Sequence, residues 1–273
     1  MEKLNVSNVR KCIVVSVGLY PGNARQALVR AGPVGGDVVF LVNSEPKTVP
    51  KEVLRGGRLQ PTAAMKELHR FVEEIDREIN VVDVWLDPRD GIAINVARLR
   101  SLIEDYAPCR VIIGMAGGFR WLSAALMFLA LALASVGNYV GVAVDSVYTM
   151  LEEESPSVRA LFKNVEERVI PWPVVPRLVE ISDRREYSIL RLIGLGKHRA
   201  KEILRELNKD CRKPGGCISM ATVQRILVKL TRKGLINYRK QGKAHYYELG
   251  LLGTMLVTRV KAQQDTTSNK PTT

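Results

Sequence analysis

Short runs of consecutive apolar, β-branched residues alternate with longer stretches whose apolar positions recur every three to four residues over the first half of the chain. The runs fall at residues 12–17 (CIVVSV), 38–42 (VVFLV), 81–86 (VVDVWL), 110–113 (RVII) and 139–144 (YVGVAV). Runs that do not alternate with polar residues predict strands buried on both faces of a parallel sheet. The intervening periodic stretches, 23–30, 61–79, 92–106 and 121–136, predict helices, with Pro61 at a first helical position. Strand–helix alternation of this kind predicts an α/β domain with a doubly wound, Rossmann-like parallel sheet. A proline-rich segment, IPWPVVP at 170–176, cannot continue a helix and predicts a last edge strand running into a stiff linker.

The pattern changes after residue 183. Apolar Ile189, Leu192 and Ile193 mark a first helix over 183–195, and Ile203, Leu204 and Leu207 a second over 197–207. A third, capped by Ser219 and running through Lys233, carries Val223, Ile226, Leu227 and Leu230 on one face. Thr222, Arg225, Lys229, Arg232 and Lys233 gather on another face, about a third of a turn away. Gly234 ends this helix, and two short strands around the turn 240–243 predict a hairpin with Arg239, Lys240 and Lys243 at its tip. Three helices and a hairpin in this order predict an α+β winged helix-turn-helix, whose third helix enters the major groove of double-stranded DNA. Thr222, Gln224 and Arg225 are the candidate base readers, since Gln suits adenine and Arg suits guanine. Arg232, Lys233 and the hairpin-tip residues are the candidate phosphate contacts, and Ser219 and Lys229 are further candidate DNA contacts.

Charge sharpens this division. The chain of 273 residues has a net charge of +13. Residues 1–182 are balanced, 183–260 hold eighteen basic against six acidic residues, and 261–273 add one positive charge. A basic excess confined to one segment is the footprint of a nucleic-acid-binding module beside a neutral partner. The predicted organisation is an α/β domain over 1–176, a linker over 177–182, the winged helix over 183–260 and a disordered tail over 261–273. The polar N-terminus does not read as a signal peptide. The 16-residue apolar stretch 121–136 is short for a membrane span, and it predicts a buried helix and a cytoplasmic protein without membrane association. Four scattered cysteines predict no disulfide framework and no metal site; Cys211 and Cys217 read as two thiols, with a disulfide as the alternative in a hyperthermophile.

Two strand-to-helix loops are rich in glycine. Gly18, Leu19, Tyr20, Gly22 and Asn23 follow the first strand; Ala116, Gly117, Gly118, Phe119 and Arg120 follow the fourth. Such loops let the backbone approach a phosphate at a helix start, and Arg120 adds a positive charge. Neither matches the dinucleotide or P-loop fingerprint, and tight turns alone would also explain the glycines.

The pairing of these loops with a C-terminal winged helix resembles the archaeal CRISPR-associated Rossmann-fold (CARF) transcriptional regulators, over residues 12–260. Gly118 and Arg120 fall in register with that family's fourth-strand motif, and the loop from Gly18 through Asn23 is similar to its first-strand motif. The resemblance implies a homodimer through the N-terminal domain and a two-fold pocket for a cyclic oligoadenylate, usually cyclic tetra-adenylate. It also implies control of CRISPR genes in antiviral defence, with no resident cofactor. Position 114 is Gly where the family has an acidic or amide residue, and 116 is Ala where it has a hydroxyl. The lost hydroxyl argues against an enzyme that cleaves the ring. A ring nuclease, or a winged-helix regulator sensing another nucleotide, are the alternative readings.

Overall fold

The computed structural model describes residues 9–54, 59–151, 168–211, 217–242 and 244–260. Five parallel strands, β1 (Lys11–Ser16), β2 (Val38–Ser44), β3 (Asn80–Leu86), β4 (Cys109–Met115) and β5 (Val142–Met150), form one sheet in the order β3-β2-β1-β4-β5. A short sixth strand, β6 (Val169–Pro171), pairs antiparallel with the end of β5. Its Pro171 confines it to the edge, where a missing N–H leaves no neighbour unpaired.

Helices α1 (Gly22–Ala31) and α2 (Pro61–Ile75) cover one face of the sheet, and α3 (Gly91–Glu104) and α4 (Arg120–Val140) the other. Successive strand residues supply the two cores in turn: Cys12 and Val14 face α3 and α4, whereas Ile13 and Val15 face α1 and α2. This is why the strands read as unbroken apolar runs. Chain order reverses between β1 and β4, so their connections leave in opposite directions at the carboxyl edge of the sheet, the place where open α/β sheets bind ligands.

The fifth strand departs from the predicted 139–144. Helix α4 continues past Val136 to Val140, and Gly141, left-handed at φ 76°, ends it. A side chain on Gly137 would lie 2.2 Å from the carbonyl of Val142, so glycine here permits the close return of the chain rather than breaking the helix. Helix α4 is long and apolar enough to cross a membrane by length and composition. Its apolar residues Leu122, Leu126, Leu129 and Leu133 are buried in the core of the α/β domain.

Three further helices follow: α5 (Arg184–Gly194), α6 (Ala200–Leu207) and α7 (Met220–Arg232). Asp183 caps α5 by accepting from the Arg185 and Glu186 N–H groups, and Ser219 caps α7 by accepting from the Thr222 N–H. An antiparallel hairpin, β7 (Ile236–Gln241) and β8 (Ala244–Leu249), turns at left-handed Gly242 and leads into α8 (Leu251–Val257). Residues 197–199 are not the start of a helix, as the sequence predicts, but an extended link. The Tyr247 N–H donates to the His198 carbonyl at 2.8 Å, which ties this link to β8.

The cysteine expectation is overturned: Cys211 and Cys217 form a disulfide. Asn208 explains their approach. Its side-chain amide donates to the Ile218 carbonyl and its Oδ1 accepts from the Ile218 N–H, both at 2.8 Å, which holds the residue after Cys217 close to the end of α6. The tail 261–273 lies outside the described residues.

The segment predicted as a linker is packed rather than free. Leu178 donates its N–H to the Leu131 carbonyl, Tyr139 donates to the Ile181 carbonyl, and Tyr139 stacks on Tyr187 of α5. Helix α8 is fixed on α3. Buried Arg100 donates to the Met255 carbonyl at 2.9 Å and the Thr258 carbonyl at 2.6 Å while pairing with Glu104. Arg259 then bridges Glu104 and Asp105.

Candidate functional site

Two regions hold the residues that the sequence singles out. At the carboxyl edge of the sheet, the loops after β1 and β4 touch backbone to backbone. A Cβ on Gly18 would lie 2.9 Å from the Gly118 nitrogen, and Gly117 and Gly118 are left-handed at φ 154° and 98°. Glycine is required at these positions by contact between the loops themselves. The Ala116 and Gly117 N–H groups, expected to face a phosphate, both donate to Ser16 Oγ at 3.0 and 3.2 Å. Gly18 and Ala116 are buried. Of the predicted ligand residues, Gly18, Ala116 and Gly117 are therefore engaged inside the protein, while Leu19, Phe119 and Asn23 are half-buried and Tyr20, Gly22 and Arg120 are exposed.

Arg120 opens α4 and has no ion pair among the described residues. Helix α4 starts from Phe119 without a side-chain cap, so its first-turn N–H groups and the Arg120 guanidinium offer positive charge together. Gly114, where the resembled family carries a polar side chain, also has an internal reason. A Cβ there would lie 2.9 Å from the Tyr148 hydroxyl. Tyr148 is buried, donates to the Ala27 carbonyl at 2.7 Å, and its hydroxyl is pushed up to about 12 by burial.

Sequence reasoning missed several polar groups along this edge. Asn43 Nδ2 and Ser44 Oγ end β2 buried and without a hydrogen-bond partner. Beyond β3, the Arg89 side chain grips Asp87 and holds its carboxyl down at about 2. None stands in a motif; only their place at strand ends signals them. Two surface hollows lie elsewhere: about 320 Å³ beside β5, near Leu133, Val144 and Trp172, and about 880 Å³ at the opposite, amino edge of the sheet.

The second region is α7. Val223, Ile226, Leu227 and Leu230 are buried, which fixes the helix's inner face. Lys229 and Lys233, both predicted DNA contacts, clamp Glu186 of α5. Lys229 Nζ lies 2.6 Å from one carboxylate oxygen, Lys233 Nζ 2.9 Å from the other, and Glu186 is 1% exposed. Lys229 also donates to Ser182 Oγ, and Lys233 to the Glu180 carbonyl. Burial pushes the Glu186 carboxyl up. Hydrogen bonds from Lys229, the Ser182 N–H and Lys233 outweigh that and hold it below its ordinary range. Lys229 is correspondingly harder to deprotonate. These two cations neutralise a buried carboxylate, so each already has a partner within the fold.

Thr222 is likewise occupied, its hydroxyl sharing a hydrogen bond with Ser219 Oγ at 2.9 Å in the helix cap. Gln224, Arg225 and Arg232 are exposed, and neither arginine has an ion pair among the described residues. On the hairpin, Lys240 is exposed, Arg239 pairs with Glu248 at 2.9 Å with most of its side chain still in solvent, and Lys243 lies outside the described residues. The sequence did not single out Tyr238, exposed and stacked on His245, or Arg199, which lies over the Tyr246 ring at 4.6 Å.

Among the described residues no cluster of His, Cys, Asp and Glu has the makings of a metal site. No protein-family model matches the chain, and comparison with curated proteins finds no match.

Proposed function

We propose that this chain is a DNA-binding transcriptional regulator: residues 183–260 act as a winged helix-turn-helix, and the α/β domain senses a cyclic oligoadenylate, cyclic tetra-adenylate first among them. The observation that carries the DNA half is the outer face of α7. Opposite an apolar inner face it presents Gln224, Arg225 and Arg232, exposed and without a partner among the described residues, in a segment holding nearly all of the chain's net charge. The link 197–199 tied to β8, three helices and a hairpin form the order in which such modules present their third helix to the major groove.

The sensing half rests on the reversal of strand order between β1 and β4 and on Arg120 at the start of α4, with fewer free backbone donors than the loops suggest. A two-fold ring suits a homodimer, in which each copy supplies the same contacts. The half-buried apolar stripe Trp121, Ala124, Phe128 and Leu131 along α4 supports pairing through this domain.

Titrating the full-length protein onto duplex DNA from a CRISPR promoter, with and without saturating cyclic tetra-adenylate, tests both halves. Specific binding whose affinity changes with the ring is the expected result, with Arg120→Ala losing the response and retaining bare DNA affinity. Arg225→Ala should weaken specific binding by about 1–3 kcal/mol. Affinity indifferent to the ring removes the sensing half, and equal binding of promoter and random DNA removes the regulator.

A further inference from the structure

Val228 is not among the buried residues that fix the inner face of α7. It points away from the core at the middle of the helix and is 50% exposed. At about 100° per residue, Ala221, Gln224, Arg225 and Arg232 all lie within about 60° of it, while the buried stripe is centred on the opposite side. A β-branched residue forms helix less readily than the straight-chain residues usual on exposed helix faces, so neither burial nor helix propensity accounts for a valine here. The clamp on Glu186 also turns Lys229 and Lys233 to the flank. The outer face is therefore an apolar patch, Val228 with Ala221, framed by one amide and two free guanidinium groups.

We propose that Val228 is a specificity-determining residue that packs on the C5-methyl group of a thymine in the major groove. This rests on the reading of residues 183–260 as a DNA-binding module and adds to it a residue and a base. Duplex DNA is the occupant that fits, because Arg225 and Arg232 put positive charge complementary to an anionic partner before and after the apolar spot along the helix. The thymine methyl is the apolar group that a base edge displays in that groove. Arg225 and Gln224 are placed beside it to meet guanine and adenine edges, so the recognised site contains a thymine next to a purine contact.

The test uses the full-length protein. Duplexes retained from a random pool are sequenced, and in the tightest binder each thymine is replaced singly by deoxyuridine, which removes only the methyl group. Wild-type protein should lose about fourfold in affinity at one thymine in each bound site, the effect of leaving one buried methyl group unburied. Val228→Ala should bind the thymine and deoxyuridine duplexes equally at that position, with a melting temperature no lower than wild type because alanine is the better helix former. Affinity unchanged by every deoxyuridine, or Val228→Ala retaining full discrimination, overturns the proposal. So does a change in self-association of Val228→Ala without DNA, which would make this face a protein contact. If no duplex is retained from the pool, the DNA-binding reading itself falls and takes this inference with it.

Discussion

The carboxyl edge of the sheet and the outer face of α7 offer the same raw materials, a helix start and positive charge, yet they differ in what those groups already do. At the sheet edge the loop amides of Ala116 and Gly117 are consumed by Ser16, and Gly18 and Gly118 press against one another. On α7 the outward groups have no partner among the described residues, while the lysines on its flank do. A polar group satisfied within the fold contributes stability and has little left for a ligand; one that stays unsatisfied in water is free to bind. Occupancy, rather than residue type, separates the closed positions of this protein from those open to a ligand.

The largest effect is expected where the closed region is tightest. Gly118→Ala would put a side chain at a left-handed φ of 98°, 3.0 Å from Leu122 Cδ2 and 3.1 Å from the Val17 carbonyl. The variant should unfold about 2–3 kcal/mol more easily in chemical denaturation. Its affinity for DNA should be unchanged at temperatures where it remains folded. A stable Gly118→Ala protein would break the description of these loops as locked.

Next comes the clamp that takes two lysines out of the open region. Glu186→Gln removes the charge facing Lys229 and Lys233 and should cost about 2 kcal/mol. The pH dependence has a definite sign. The folded Glu186 titrates below its ordinary 4.5, so its contribution is complete above that pH and is lost as pH falls through the lower folded value. The stability gap between wild type and Glu186→Gln should therefore narrow in acid and stay constant from pH 6 upward. A gap that widens in acid contradicts the clamp.

These contrasts also mark what the sequence could and could not disclose. The sheet, α1 to α4 and the Ser219 cap of α7 are legible because apolar periodicity and capping are local signals, read within a few residues. Gly137 misleads for a tertiary reason, its contact with Val142 across the turn. Gly114 looks like a lost ligand contact until Tyr148, a neighbour on β5, is seen to fill the space. Glu186 and Lys233 are 47 positions apart, and no pattern in either helix announces that they meet. Lys229 therefore reads as a DNA contact by type and spacing alone, and Val228, an ordinary hydrophobic letter, draws no notice on a helix already supplied with a core face.

A smaller effect separates the two uses of the glycine loop. Ser16→Ala leaves the Ala116 and Gly117 N–H groups without their acceptor. Unpaired buried amides cost about 1–2 kcal/mol here, visible as a lower denaturation midpoint with an unchanged slope. If stability holds, these amides have another partner within reach and are freer than their hydrogen bonds to Ser16 imply.

The smallest effect tests the division on α7 itself, and it is read from salt rather than from affinity at one condition. Each phosphate neutralised on binding releases counterions, so the logarithm of the binding constant falls with the logarithm of salt by about 0.9 per contact. Arg232 is exposed and has no ion pair among the described residues, so Arg232→Ala should flatten that slope by about one contact. Lys229 is held by Glu186 at 2.6 Å, and pulling it onto a phosphate would strand a buried carboxylate. Lys229→Ala should therefore leave the slope as in wild type while lowering stability, because Glu186 loses a partner. Equal flattening in both variants would mean that DNA competes successfully with Glu186 for Lys229, and the boundary between occupied and open groups would then move with the ligand instead of being set by the fold.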